Sequence, residues 1–279
     1  MKSNFEFLNR YWPALAQIGA VAESYVYSDA NACLYKLGMF GERLILEIFA
    51  FEHIKEPTID NTHANRIRLL KREGLIPKKI DDILYALRKT RNDAVHAGAD
   101  SVEDAKTLLS MTYNLAVWFM EVYGDWGYIA PAFVMPENVV QPDYESIIKE
   151  QEEKIVALSK QVEAVSTAAS TKTSKERAEK GETASESMEL SEAETRYLID
   201  EQLRKFGWEA DTNTLRYSKG TRPQKGRNLA IAEWPTDSAV GKNGYADYAL
   251  FVGVKLVGIV EAKKAAIDIP SVIDHQCKE

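Results

Sequence analysis

The chain has 279 residues, 45% of them hydrophobic and 28% charged, which suits about two domains with real cores. Its formal net charge of −7 excludes a protein that grips nucleic acid through its overall charge, so any such contact must be local. No apolar run approaches the roughly eighteen residues of a membrane span and the N-terminus lacks a basic-then-apolar signal, so a soluble cytoplasmic protein is expected.

Residues up to about 136 predict a helical bundle. Apolar residues recur at three- and four-residue spacing near 4–26, 29–54, 62–73, 78–97 and 102–123. Ser28-Asp29, Gly74, Pro77, Gly98 and Gly124 punctuate the borders. Ser101 is a capping hydroxyl, with Glu103 and Asp104 in the first turn behind it. Leu108, Leu109, Thr112, Leu115, Ala116 and Phe119 then make one inward stripe. Phe5, Trp12, Trp118 and Tyr123 add bulky core or interface area.

Within this bundle, Arg91 and His96 bracket Asn92-Asp93-Ala94-Val95. A histidine can serve as acid or base on a ribose 2′-hydroxyl while an arginine steadies the phosphate. The stronger reading is structural: Asn92 and His96 stand one helical turn apart and can bridge helices by hydrogen bonds. His53 and His63 have no partners suggesting ligation and read as surface or satisfied polar positions. Cys33 and Cys277 are far apart and form no metal cluster, so reduced, partly buried thiols are expected.

The chain changes character over 137–190. Ile148, Ile155 and Val162 repeat at heptad spacing with Tyr144, Leu158 and Val165 between, and Gln151 breaks the series. A short coiled coil and a single helix packed on the bundle explain this equally. From 166 to 189 the chain runs in Ser, Thr, Ala, Glu and Lys, with Met188 its bulky apolar residue, and predicts a flexible linker.

Order returns at Ser191-Glu192-Ala193-Glu194, a capping box that opens a helix carrying Leu198, Ile199, Leu203 and Phe206. Gly207 closes it as a left-handed cap, with Trp208 placed to pack back on Leu203. Arg216, Lys219, Arg222, Lys225 and Arg227 follow in an acid-free stretch with glycines and a proline. Such a loop can lay cations along a DNA backbone without reading bases; an ordinary solvated loop is the plain alternative.

Strands are expected over 229–234, with Glu233 a further acid near the sheet, and over 244–250 and 256–260, joined by a turn at Val252-Gly253-Val254. Paired as a hairpin, the last two bring Asp247 towards the face that Glu261 and Lys263 share. Carboxylate oxygens are natural ligands for Mg²⁺, and an amine beside such a metal orients water and offsets charge on a phosphate. That is the equipment of a metal-dependent phosphodiesterase. Charges on an amphipathic edge strand are the bland reading. Against it, an acid closing the Val257-Gly258-Ile259-Val260 run is costly without a ligand. Asp268-Ile269-Pro270 then opens a last helix, from which Gln276 projects.

Glu194-Thr195-Arg196, Leu198-Ile199-Asp200, Phe206-Gly207-Trp208, Ala246-Asp247-Tyr248 and Val260-Glu261-Ala262-Lys263-Lys264 together resemble a known nuclease. It is the N-terminal nuclease domain of the restriction (R) subunit of type I restriction-modification enzymes, within the PD-(D/E)xK superfamily. This likeness runs from about residue 190 to the end. Ser3-Asn4-Phe5-Glu6-Phe7-Leu8, Met39-Phe40-Gly41-Glu42, the Arg91 to His96 stretch, Leu115-Ala116-Val117-Trp118 and Phe133-Val134-x-Pro136 are similar to the type IA branch. Arg91 and His96 also resemble the Arg-x(4–6)-His motif of HEPN-type helical domains, some of them metal-independent ribonucleases. Two departures stand out: Ala246 replaces the family proline, and the tyrosine of the family's Gln-x-x-x-Tyr motif, begun by Gln276, would fall just beyond Glu279.

The resemblance implies a helical bundle over 1–136, a helix or short coiled coil and linker over 137–190, and a restriction-endonuclease-like mixed sheet flanked by helices over 191–279. It implies that Asp247, Glu261 and the carbonyl of Ala262 hold Mg²⁺, that Lys263 positions water, and that Glu194 and Gln276 support them. It further implies cleavage of unmodified double-stranded DNA in a complex with methyltransferase and specificity subunits. ATP would serve motor domains and S-adenosylmethionine a partner subunit. The motor's Gly-x-x-x-x-Gly-Lys-Ser/Thr loop has no match here, with Gly241-Lys242-Asn243 the nearest approach, so the chain reads as an N-terminal fragment. A standalone Mrr-like nuclease, a HEPN-type ribonuclease using Arg91 and His96, and a non-catalytic docking module are the alternatives.

Overall fold

The computed structural model describes residues 3–56, 60–138, 172–236 and 244–262. The chain divides into two units, Met1–Glu189 and Leu190–Glu279.

In the first unit a 3₁₀ turn, Glu6–Arg10, leads to α1, Pro13–Tyr25. The single helix expected over 4–26 is therefore interrupted, because Pro13 lacks an N–H and fits only the first turn of a new helix. Next come α2 (Ala30–Phe51), α3 (His63–Arg72), α4 (Lys78–Ala97) and α5 (Val102–Phe119), the last running into a π turn over Met120–Gly124. Asp29, Thr62 and Ser101 cap their helices by accepting backbone N–H groups at 2.9, 3.3 and 3.2 Å. Gly98, at φ 65°, ends α4 in the left-handed conformation. Phe5, Leu8, Phe40, Leu44, Trp118 and Phe119 are buried in the core between these helices. Close approach is what the small residues permit: a Cβ on Gly38 would stand 2.4 Å from the Cβ of Arg91 where α2 meets α4.

The linker expectation fails for Ser174–Ser187, which forms α6 and opens with a capping box between Thr173 and Glu176. It buries Arg177, Gly181, Ala184 and Ser185 in place of an apolar stripe. Arg177 grips Glu52, the residue that caps the end of α2, with two bonds at 2.6 and 2.8 Å, and both side chains are nearly shut off from solvent. Trp118 donates its indole N–H to the carbonyl of Gly181 at 2.9 Å. Polar composition argues for disorder because apolar area is the usual source of order; here a charge-assisted pair and close backbone approach supply it. The heptad series lies outside the described residues.

The second unit opens with α7, Glu192–Lys205, which begins at the Ser191 and Glu194 capping box. Gly207 at φ 86° ends it, and Trp208 returns its N–H to Leu203 at 3.1 Å, as its capping residues predict. Strands β1 (Glu209–Ala210), β2 (Asn228–Thr236), β3 (Gly244–Val252) and β4 (Lys255–Val260) form one sheet in that spatial order. The first pair is parallel and the other two antiparallel. Helices with a small mixed sheet make this an α+β chain. Ala230, Ala232 and Tyr248 pack on Leu203 and Ile199 of α7, while Leu229, Ile231, Ala249 and Phe251 form the opposite face under Leu215, Tyr217 and Trp234. The helix expected from Asp268 lies outside the described residues.

Candidate active site

Asp247 lies on β3 between the buried Ala246 and Tyr248. The β3–β4 hairpin turns at Gly253, whose φ of 62° favours glycine, and its register pairs Tyr248 with Val260. One further step along that register sets Asp247 opposite Glu261. Asp247 Oδ2 accepts the backbone N–H of Ala262 at 2.7 Å, and Oδ1 accepts from Arg196 of α7 at 3.1 Å. The contact seen for Ala262 is thus through its N–H, where its carbonyl is the expected ligand. Lys263 and Gln276 lie outside the described residues.

Behind Asp247 a buried polar chain ties α7 to β3. The Tyr248 hydroxyl stands 2.6 Å from Thr212 Oγ1 and donates to the Arg196 carbonyl at 3.3 Å. Thr212 gives its backbone N–H and hydroxyl to Asp200 at 2.7 and 3.0 Å. Burial pushes the Asp200 carboxyl up, against the pull of these bonds. Burial, then the charge of Asp200, also raises the Tyr248 hydroxyl. Sequence reasoning missed this network; the position of Tyr248 beside Asp247 is its one local signal.

Glu194 is 2% exposed and accepts the Ser191 N–H at 2.7 Å, filling its capping role. Glu233 is less ordinary. Its φ of 53° is in the left-handed region that a glutamate rarely occupies. The pairs Ala232 with Tyr248 and Trp234 with Ala246 bracket it, so it stands across from Asp247 on β2, and its carboxylate meets Arg216 at 3.1 Å. The backbone twist reverses the pleat. Ala232 faces α7, but Trp234 joins the opposite face, 4.7 Å from the Phe251 ring and 5.0 Å from that of Tyr217.

The basic loop is divided in its contacts. Arg216 holds Glu233, Arg227 holds Glu209, and Arg222 lies 3.7 Å over the Tyr217 ring. Lys219 and Lys225 are exposed. Among the described residues no three His, Cys, Asp or Glu side chains stand close enough to hold a metal ion. Asp247 with Glu261 nonetheless offers the hard oxygen donors that suit Mg²⁺, which takes one or two carboxylates and keeps several waters.

In the helical unit, Arg91 pairs with Glu42 and lies 5.3 Å over the Tyr35 ring, a place in the α2–α4 packing, whereas His96 is exposed. His63 departs from expectation: it is buried, and its Nδ1 has no hydrogen-bond partner among the described residues.

Comparison with known proteins adds three findings. Residues 209–279 match the family model described as the second domain of the type I restriction enzyme EcoKI endonuclease subunit. Residues 21–166 match a family described as a domain of unknown function, DUF4145. The chain is also 34% identical to the type I restriction enzyme EcoKI endonuclease subunit of Escherichia coli (strain K12), over 97% of this chain and 27% of that protein. It therefore spans about a quarter of the length of the curated relative it matches. No solved structure matches it with significance. No helix among the described residues is long and apolar enough to cross a membrane.

Proposed function

The chain belongs to the DUF4145 family through its helical unit and to the type I restriction endonuclease subunits as an R-subunit region, and on that premise we propose that its sheet unit is a Mg²⁺-dependent DNA nuclease module with a PD-(D/E)xK fold. The observation that carries this reading is the β3–β4 hairpin, whose register sets Asp247 opposite Glu261 while the Ala262 N–H clasps Asp247. Asp247 and Glu261 would hold the ion, with the Ala262 carbonyl as a further oxygen. When bound there, Mg²⁺ supplies Lewis acidity towards a phosphate oxygen and makes water a stronger nucleophile at neutral pH.

The chain's own residues do the rest in this proposal. Lys263 offsets charge that develops on the phosphate and orients the attacking water. Arg196 steers the Asp247 carboxylate, and the Tyr248, Thr212 and Asp200 chain keeps β3 seated on α7. Glu194 and Gln276 support the site from the flanking helices. Lys219, Lys225 and Arg222 meet the DNA backbone, while Arg216 and Arg227 keep Glu233 and Glu209. The module acts in the cytoplasm on unmodified DNA, together with methyltransferase and specificity subunits. ATP is used by motor domains, and S-adenosylmethionine is bound by a partner subunit.

Titration of the full chain with Mn²⁺, followed by electron paramagnetic resonance, tests the site apart from turnover. Binding should be lost in Asp247→Ala. Binding that is absent from the wild type, or unchanged in the variant, removes the nuclease reading and leaves the docking module in the lead.

A further inference from the structure

His63 opens α3 and is 8% exposed, yet its Nδ1 is without a hydrogen-bond partner among the described residues. On α4, the Nε of Arg91 is buried in the same condition. Buried polar atoms are ordinarily paired, and each exception needs a physical reason. The charge of Arg91 reaches His63. Burial, then the charges of Arg88, Arg66 and Arg91, push the His63 imidazole from its ordinary 6.5 down to about 4, so it is neutral near pH 7.

The three arginines are held by few acids. Arg91 pairs with Glu42, and Arg66 with Glu56 at 2.7 Å. Arg88 lies 5.4 Å over the Tyr85 ring and makes no ion pair among the described residues. Positive charge is thus left over at one place in a chain whose formal net charge is −7. A ring face compensates a guanidinium only in part.

The missing group can be named by its chemistry. Arg91 Nε can only donate a hydrogen bond, and a neutral imidazole donates from Nδ1 in one of its two tautomers. A single group that completes both atoms must accept from Arg91 Nε, and it accepts from His63 in the tautomer that carries the proton on Nδ1. What balances the charge that Arg88 leaves without an ion pair must be negative. A guanidinium fork matches phosphate oxygens in geometry as well as charge. The burial of His63 admits a terminal phosphate, inorganic or carried on a small molecule, in preference to the backbone of a duplex.

We propose that His63, Arg88 and Arg91 form a binding site for a phosphate group, with His63 Nδ1 and Arg91 Nε donating to its oxygens and Arg88 supplying the uncompensated charge. The site uses His63 where the ribonuclease reading uses the exposed His96. It also stands independently of the nuclease reading, since its residues come from the helical unit.

The test is titration of the full chain with inorganic phosphate in the presence of a chelator. Calorimetry follows the heat, and ¹H–¹⁵N correlation spectra follow the His63 ring, assigned by comparison with His63→Gln. Saturable binding is expected, with the His63 ring gaining a proton at Nδ1 and its pKa rising. Arg88→Gln, at a residue with no ion pair among the described residues, should weaken binding roughly tenfold or more. Asp247→Ala should leave it unchanged, which separates failure here from failure of the nuclease reading. Glycerol phosphate binding as tightly as inorganic phosphate would mark a carried phosphate as the ligand, and weaker binding would mark the free ion. A His63 ring that does not respond at saturating phosphate overturns the proposal. So does Arg88→Gln binding as tightly as wild type while circular dichroism shows it folded.

Discussion

In the helical unit Phe5, Leu8, Phe40, Trp118 and Phe119 are shut away from solvent and each leans on several neighbours. The sheet unit has one described helix against one face, and its outermost strand leaves Leu256, Val257 and Ile259 about half exposed, at 45%, 49% and 52%. A dense apolar core spreads its stabilisation over many small contacts. The sheet unit instead vests the placement of Asp247 in a few hydrogen bonds, from Arg196, Ala262 and the Tyr248 chain. Shape is therefore robust in one unit and concentrated in single residues in the other.

The helical unit has a polar dependence of its own at α6, and breaking it should have the largest effect. Arg177→Ala leaves the Glu52 carboxylate buried and unpaired, at an expected cost of about 3–5 kcal/mol. Hydrogen exchange over Ser174–Ser187 should rise sharply, and Arg177→Met combined with Glu52→Leu should recover most of the protection. If exchange there is unmoved by Arg177→Ala, the ion pair is not what docks the helix.

Acid sets the two units against each other. His63 is held neutral in the fold, so its contribution is complete above pH 6.5 and is lost as pH falls towards about 4. That loss is worth about 3 kcal/mol. Asp200 has the opposite sign: its raised carboxyl favours the fold below the ordinary 3.8 and this contribution fades as pH rises through the higher folded value. Urea unfolding at stepped pH, with His63→Gln and Asp200→Asn, should show the slopes removed one at a time.

Smaller effects should stay within the sheet unit. Tyr248→Phe removes the hydroxyl that meets Thr212 and should cost about 1–2 kcal/mol while loosening β3 and weakening Mn²⁺ binding at Asp247. Ser191→Ala should cost about 1 kcal/mol and fray only the first turn of α7, read by exchange at its leading amides. An equal response of the helical unit to either variant would erase the contrast between the two.

The helices of the first unit are legible because α2, α3, α4 and α5 turn apolar residues to one core, and spacing reports that directly. The α7 cap at Gly207 and the β3–β4 turn at Gly253 are legible because glycine is the residue that takes positive φ at little cost. α6 escapes such a reading, since what it buries is an arginine, a glycine and small polar residues. His63 escapes it because burial of a polar side chain leaves no periodic trace. At the candidate site, strand alternation locates Asp247 and Glu261. Arg196 and Asp200 belong to α7, Thr212 to the turn after β1 and Tyr248 to β3, and nothing local announces their meeting.

Glu233 has a reach that its one unusual dihedral angle does not suggest. The register between β2 and β3 is the same on both sides of that residue, although Glu233 itself is left out of the paired residues. The side-chain alternation does not carry through it, and Trp234 packs on the face opposite to that of Ala232. Trp234 there meets Tyr217, Tyr217 carries Arg222, and Glu233 itself tethers Arg216. One backbone setting midway along a strand thus acts as an aiming device, fixing where the cations of a distant loop are carried.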